Sequence, residues 1–233
     1  GRSALAAAVQ ATTAPNLPVI IPGLTCIAVV RAVRAAGCLP VFCDIDPKTL
    51  QYDWQRLEKI LQQSPIINQD LHKPIDNSGD VCYNGSIVAQ NTLGLPLDMR
   101  RLERLAQKYH FRIIEDLAHC AGRFYPDGCE IGTVGAAAAL SFGKGKAIDT
   151  ISGGALIVQN GQLLQPPSQK PKRSARLRDR WYPFFGSISR GLWRIGLGKA
   201  LMAAFLRLHW VERSADADLN LNQRLTYWQA KLA

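Results

Sequence analysis

A chain of 233 residues with 47% hydrophobic content is long enough to bury one sizeable core plus a smaller appendage, and that composition excludes disorder over most of its length. Its formal net charge of +10 suits nucleic acid, a membrane surface or an anionic substrate, so where the charge sits decides more than its sum. Beyond Gln165 there are 13 Lys plus Arg against 4 Asp plus Glu, which leaves the first 165 residues close to neutral. The pattern is that of a near-neutral core followed by a basic attachment.

Cys26, Cys38, Cys43, Cys82, Cys120 and Cys129 form no C-x-x-C pair, and several lie in apolar runs where a thiol acts as a small core residue. A reducing, cytoplasmic setting is the expectation, and no metal site is expected. The first residues lack the basic start and apolar stretch of a signal peptide. No uninterrupted apolar run reaches the ~18 residues of a membrane-spanning helix.

In chain order, residues 19–22 read as a short apolar strand, and residues 25–36 as a helix that stops at Gly37. A second strand follows at 40–45. Asp53 is placed to cap a helix through Leu57 and Leu61, and the polar, proline-interrupted stretch 64–80 reads as a surface connection. Residues 81–90 contain a strand, Asp98 opens a helix over 99–109, and the strand 111–115 delivers Asp116 at its carboxyl end. The apolar strand 136–142 runs into Gly143-Lys144-Gly145-Lys146, and Gly153-Gly154 precedes a last strand over 155–159. This alternation predicts an α/β fold with a mostly parallel sheet and helices on both faces.

The composition changes near residue 162. We therefore read residues 1–162 as a large domain and 163–233 as a basic linker, an aromatic and apolar helical segment and the start of a further region. The basic stretch 170–180 reads as a solvated loop. In the segment 181–211, Arg190 and Arg194 share a helical face while Lys199 and Arg207 point elsewhere, so the cations form no single stripe. Packing against the rest of the chain or a second copy is favoured over a membrane surface. Nucleic-acid binding would rest on charge alone, without a groove-entering motif or stacking platform, and is not expected.

The chemistry-bearing set is one acid at a strand end, two lysines in a Gly-rich turn about 30 residues later, and a serine just before them. In open parallel sheets ligands gather beyond the carboxyl ends of the strands, where Asp116 falls. A lysine can form a Schiff base with an aldehyde cofactor, and a carboxylate can keep a pyridine nitrogen protonated. By spacing alone the same residues also suit two solvated lysines and a strand-end Asp.

Five segments carry a more specific signal: Val19-Ile-Ile-Pro-Gly-Leu-Thr-Cys26 followed by Pro40-Val-Phe-Cys-Asp-Ile-Asp46; Leu93-Gly-Leu-Pro-Leu-Asp-Met99; Ile113-Ile-Glu-Asp-Leu-Ala-His119; Ser141-Phe-Gly-Lys-Gly-Lys146; and Gly153-Gly154. In order and spacing they resemble the DegT/DnrJ/EryC1/StrS sugar aminotransferases. The resemblance implies the large domain of a fold-type I transferase dependent on pyridoxal 5'-phosphate. It further implies an amino-acid donor, glutamate, a nucleotide-linked keto sugar as acceptor, and a homodimer. Lys146, five residues after Ser141 and eight before Gly154, would be the catalytic lysine in preference to Lys144. Asp116 would meet the pyridine nitrogen, with a helix cap as the plainer role. His119 would lie beside the ring, or else be a buried, satisfied histidine. Ser141 would bind the cofactor phosphate.

Gly1-Arg-Ser-Ala-Leu5 resembles the family's G-T-x-A-L turn into a phosphate-binding helix. Arg2 replaces the usual hydroxyl residue, so that contact passes to Ser3 or is lost. Cys26 stands where many relatives place an aromatic that stacks on the ring. Residues 222–233 are similar to an element that reaches across the dimer, which makes Arg224 a phosphate ligand in trans. The resemblance begins and ends inside family motifs, so a fragment without the N-terminal arm is expected, with weak or no transamination on its own. Two rivals remain: a cofactor-dependent sugar dehydratase, in whose family members histidine replaces the lysine, and a non-catalytic relative that binds sugar nucleotide or a protein partner.

Overall fold

The computed structural model describes residues 1–64, 83–159, 169–170 and 172–211. Six strands form one sheet: β1 (Pro18–Pro22), β2 (Leu39–Cys43), β3 (Gly85–Gln90), β4 (Phe111–Asp116), β5 (Ala137–Ser141) and β6 (Gly154–Val158). Their order is β2-β1-β3-β4-β5-β6, with every neighbouring pair parallel except β5 and β6. The expected mostly parallel sheet is present.

Period-two alternation splits each inner strand between two cores. Val19 and Ile21 of β1, Val88 of β3, Ile114 of β4 and Ala137 and Ala139 of β5 face one side. There they pack on α1 (Arg2–Thr12) and α2 (Ile27–Ala35). Ile20, Ile87, Ala89, Phe111, Ile113 and Ala138 face the other side with α3 (Trp54–Gln63) and α4 (Met99–Lys108). Runs of β-branched residues with no polar face are what a sheet covered on both sides requires. The buried phenol of Tyr52 donates to Val88 O at 2.7 Å.

Local signals set the helix ends. Asp53 Oδ1 accepts from the Gln55 and Arg56 N–H groups, both at 3.1 Å, and Asp98 Oδ1 from Arg101 N–H at 3.0 Å. Helix α2 starts at Ile27, two residues later than its apolar spacing suggests, because Cys26 is extended at φ −74°, ψ 141°. Gly37, at φ +80°, closes that helix in the left-handed conformation glycine favours.

The basic stretch read as a loop over 170–180 is helical from Arg173, where α5 (Arg173–Gly191) begins. Arg, Leu and Ala favour helix there, and packing against the cavity described below fixes it. Helix α5 contains Pro183, is followed by a short turn over Trp193–Ile195, and pairs with α6 (Leu197–Arg207). Phe185, Phe205 and Trp210 stack at centroid distances of 4.8–5.8 Å and join the two helices. No described helix is long and apolar enough to cross a membrane. Most of the connection read at 64–80, residues 163–168 and 171 of the linker, and all of residues 212–233 lie outside the described residues.

Candidate functional site

The carboxyl ends of β4 and β5 open onto a cavity of about 380 Å³ on the α1–α2 side of the sheet. Its walls include Arg2, Cys26, Asp116, Ser141 and Lys146. Residues far apart in sequence are thus brought together by strand ends that share one edge, as open α/β sheets dictate.

Helix α1 points its first turn at Ser141. A Cβ placed on Gly1 would lie 2.5 Å from Ser141 Oγ, so only a glycine lets the helix start approach the serine this closely. The Gly1 nitrogen donates to Gly153 O, and a Cβ on Gly154 would collide with the Gly1 backbone and Leu140 O. The Gly153-Gly154 pair therefore makes room for α1. Gly1 caps α1 without a side-chain hydrogen bond, which leaves the first-turn N–H groups available for an anion.

The loop between β5 and β6 presents the two lysines differently. Asp149 organises it, its Oδ2 accepting from Gly145 N–H at 2.9 Å and its Oδ1 from Ile151 N–H at 2.8 Å. Lys144 Nζ sits 3.7 Å from the Tyr182 ring centroid on α5, a cation–π contact. Lys146 instead lies close enough to Asp116 and His119 to act on both their charges. Both lysines line the cavity.

Asp116 ends β4, and its Oδ1 accepts from Ala118 N–H at 3.0 Å in a local turn; no helix starts there. Burial raises the Asp116 carboxyl above the ordinary carboxylate range, opposed by the Ala118 N–H and by the positive charges of His119 and Lys146. A raised folded-state pKa means that stability falls as pH rises from the unfolded carboxyl's pKa through the folded one. Asp116→Asn, which keeps the Ala118 contact, is therefore expected to raise the melting temperature of the ligand-free chain at pH 7 and to leave it nearly unchanged at pH 3. Differential scanning calorimetry at the two pH values measures this.

His119 is exposed rather than buried. Partial burial of its ring, with Lys146 nearby and Asp116 opposing, lowers its pKa below the ordinary value, which favours the neutral imidazole. It is not among the residues that line the cavity, and neither is Ser3, whereas Arg2 is. Cys26 is an exposed free thiol at the start of α2 on the cavity wall. Arg224 lies outside the described residues.

The sequence reading missed the α5 wall and the buried support. Arg178, Asp179 and Tyr182 of α5 line the cavity, and Ser152 Oγ donates to Asp179 Oδ2. Nothing in the local pattern of 173–182 points to that role. Glu115, next to Asp116, faces the opposite side of the sheet and is fully buried. Its carboxylate accepts from Tyr125 Oη (2.8 Å) and from the Gly132, Val134 and Gly135 N–H groups (2.7, 2.8 and 2.5 Å). These four bonds fasten the loop between β4 and β5, and so set where both strand ends stand.

Known proteins resemble this chain in sequence and in fold. The GDP-perosamine synthase of Caulobacter vibrioides is 28% identical over 226 residues, 94% of this chain and 52% of that protein. The L-glutamine:2-deoxy-scyllo-inosose aminotransferase of Streptomyces lividus is 28% identical over 145 residues, 62% of this chain and 30% of that protein. Among solved structures, a DegT DnrJ EryC1 StrS aminotransferase from Brucella abortus superposes with a TM-score of 0.54 at 24% identity, over 69% of this chain and 40% of that one. An E. coli GDP-4-keto-6-deoxy-D-mannose-3-dehydratase gives 0.52 at 20% identity, over 68% and 37%. These two structures show a common fold, and the chain spans about half or less of each protein it matches. The strand order, the glycine-framed helix start and the strand-end acid and lysine all lie within residues 1–169, the stretch that matches the DegT/DnrJ/EryC1/StrS aminotransferase family, and the chain belongs to that family.

Proposed function

We propose that this chain is the cofactor-binding portion of a pyridoxal-phosphate-dependent aminotransferase that moves an amino group from glutamate onto a nucleotide-linked keto sugar. The observation that carries the reading is the convergence of Lys146 and Asp116 on one cavity beneath Ser141 and the start of α1. The family is pyridoxal-phosphate dependent. The residues present fit that group: the cavity volume is in the range of small-molecule sites, an anion cradle lies at one side, and an acid and an amine project into it.

Pyridoxal phosphate, when bound, supplies an aldehyde that condenses with amines and a ring that withdraws electrons. The Ser141 hydroxyl, the α1 first-turn N–H groups and Arg2 would hold the phosphate. Asp116 would hold the proton on the ring nitrogen, a use of its charge that would offset the desolvation that raises its pKa in the ligand-free chain. The Lys146 amine would hold the cofactor at its aldehyde carbon and move the proton at the substrate carbon. Glu115 positions Asp116 from the opposite face. Cys26 covers the ring less fully than an aromatic would. Under this reading two copies pair.

The names of the curated relatives support a sugar or cyclitol acceptor, and one of them specifies L-glutamine as donor. Lys146 favours transamination over the dehydratase reading, because family resemblance places histidine there in dehydratases. The test is the spectrum of the chain with added pyridoxal phosphate, before and after borohydride, in wild type, Lys146→Ala and Lys144→Ala, followed by glutamate or glutamine. A reducible band lost only in Lys146→Ala and bleached by glutamate supports the reading; no band in wild type overturns it. Because the curated relatives are about twice as long or longer, steady-state transamination by the 233-residue chain is expected to be weak or undetectable, as an assay with a nucleotide keto sugar would show.

A further inference from the structure

The α5–α6 hairpin follows the stretch that matches the family, and it has two sides of different chemistry. Arg178, Asp179 and Tyr182 of α5 turn inward to the cavity. Leu177, Trp181 and Phe184 are more than half exposed. At ~100° per residue these three fall within one narrow arc of the helix, away from the inward residues. Arg173 and Arg180, both exposed, lie along one edge of the same arc. The turn into α6 exposes Trp193, Ile195 and Leu197 within five residues, Ile195 at 66%. Arg194 is exposed in the same turn, and Lys199 stands over the Trp193 ring at 5.7 Å.

Charge narrows the choice of partner. Residues 172–211 contain nine Lys plus Arg and one acid, Asp179, and that acid accepts a hydrogen bond from Ser152 on the inward side. A second copy meeting this side would bring like charges together. A surface that pairs exposed Trp, Ile, Leu and Phe with flanking cations, and that has no helix able to cross a bilayer, matches the chemistry of an anionic lipid interface. There indole rings sit at headgroup depth and basic residues meet lipid phosphates. The cations need not form one stripe, because long Lys and Arg side chains reach sideways to the headgroups.

We propose that the outer side of the α5–α6 hairpin docks on an anionic membrane surface, with Trp193, Ile195 and Leu197 entering the headgroup layer. The aminotransferase reading is not required for this. The placement leaves the inward face of α5 against the cavity, so a docked chain would keep its site at the membrane surface.

The test is co-sedimentation of the whole chain with vesicles of phosphatidylcholine alone and of phosphatidylcholine mixed with phosphatidylglycerol. Binding is expected to the mixed vesicles only, to weaken with added salt, and to fall by about tenfold or more in a Trp193→Ser, Ile195→Ser, Leu197→Ser variant. Circular dichroism verifies that the variant folds. Independently of any variant, brominated lipid is expected to quench the tryptophan emission of the unaltered chain. No sedimentation with mixed vesicles overturns the proposal. So does a folded tip variant that binds like wild type, which would reduce the surface to a patch of charge. A dimer that the tip variant dissociates, with no vesicle binding, would assign the surface to a second copy instead.

Discussion

Lys146→Ala is expected to abolish the borohydride-reducible absorbance band that pyridoxal phosphate gives with the wild-type chain, and to leave no labelled peptide covering residues 141–154. The amine is the only feature of that side chain the chemistry needs, and alanine removes it without touching the Asp149 contacts that shape the loop. Any transamination measurable with wild type is expected to fall by at least about a hundredfold, the scale at which a positioned proton-transfer group contributes. Lys144→Ala is the control. Its cation–π contact with Tyr182, at 3.7 Å, joins the loop to α5, so its loss should weaken cofactor binding a few-fold while the band persists. A band that disappears in Lys144→Ala and survives in Lys146→Ala would reverse the assignment.

Glu115→Ala is expected to destabilise the chain by roughly 3 to 5 kcal/mol in urea denaturation, the upper range for single substitutions. Four donors converge on that carboxylate, and alanine takes the acceptor from all four. Burial and the neighbouring carboxylate push the Tyr125 phenol well above its ordinary pKa, so it remains a donor across the working pH range. Glu115→Gln keeps the volume and one acceptor oxygen, and should lose roughly half as much. Because the loop from β4 to β5 depends on these bonds, both variants should also weaken pyridoxal phosphate binding. A Glu115→Gln chain as stable as wild type would mean that the loop is held by apolar packing alone.

Much of the site was legible in sequence because it is built from strand ends. Asp116 and Ser141 could be placed at carboxyl termini of apolar strands from periodicity, with Lys146 in the loop beyond, and parallel α/β connectivity brings such termini to one edge. The caps Asp53 and Asp98 and the stop at Gly37 were equally local, since each acts on backbone groups within three or four residues. The role of Glu115 has no local sequence signal, because its partners lie 10 to 20 residues away in a loop with no periodic pattern.

What the sequence by itself determined is the layered sheet, its two-sided core and the residue types of the site, all consequences of apolar periodicity and short-range capping. The tertiary structure alone decided that Lys144 stands over the Tyr182 ring, that His119 lies outside the cavity wall, and that a basic stretch resembling a loop is a helix closing one side of that cavity. The physical reason is that these outcomes depend on contacts such as Lys144 with Tyr182 and Ser152 with Asp179. Such contacts join segments 27 to 38 residues apart, and their geometry exists only once the chain has packed.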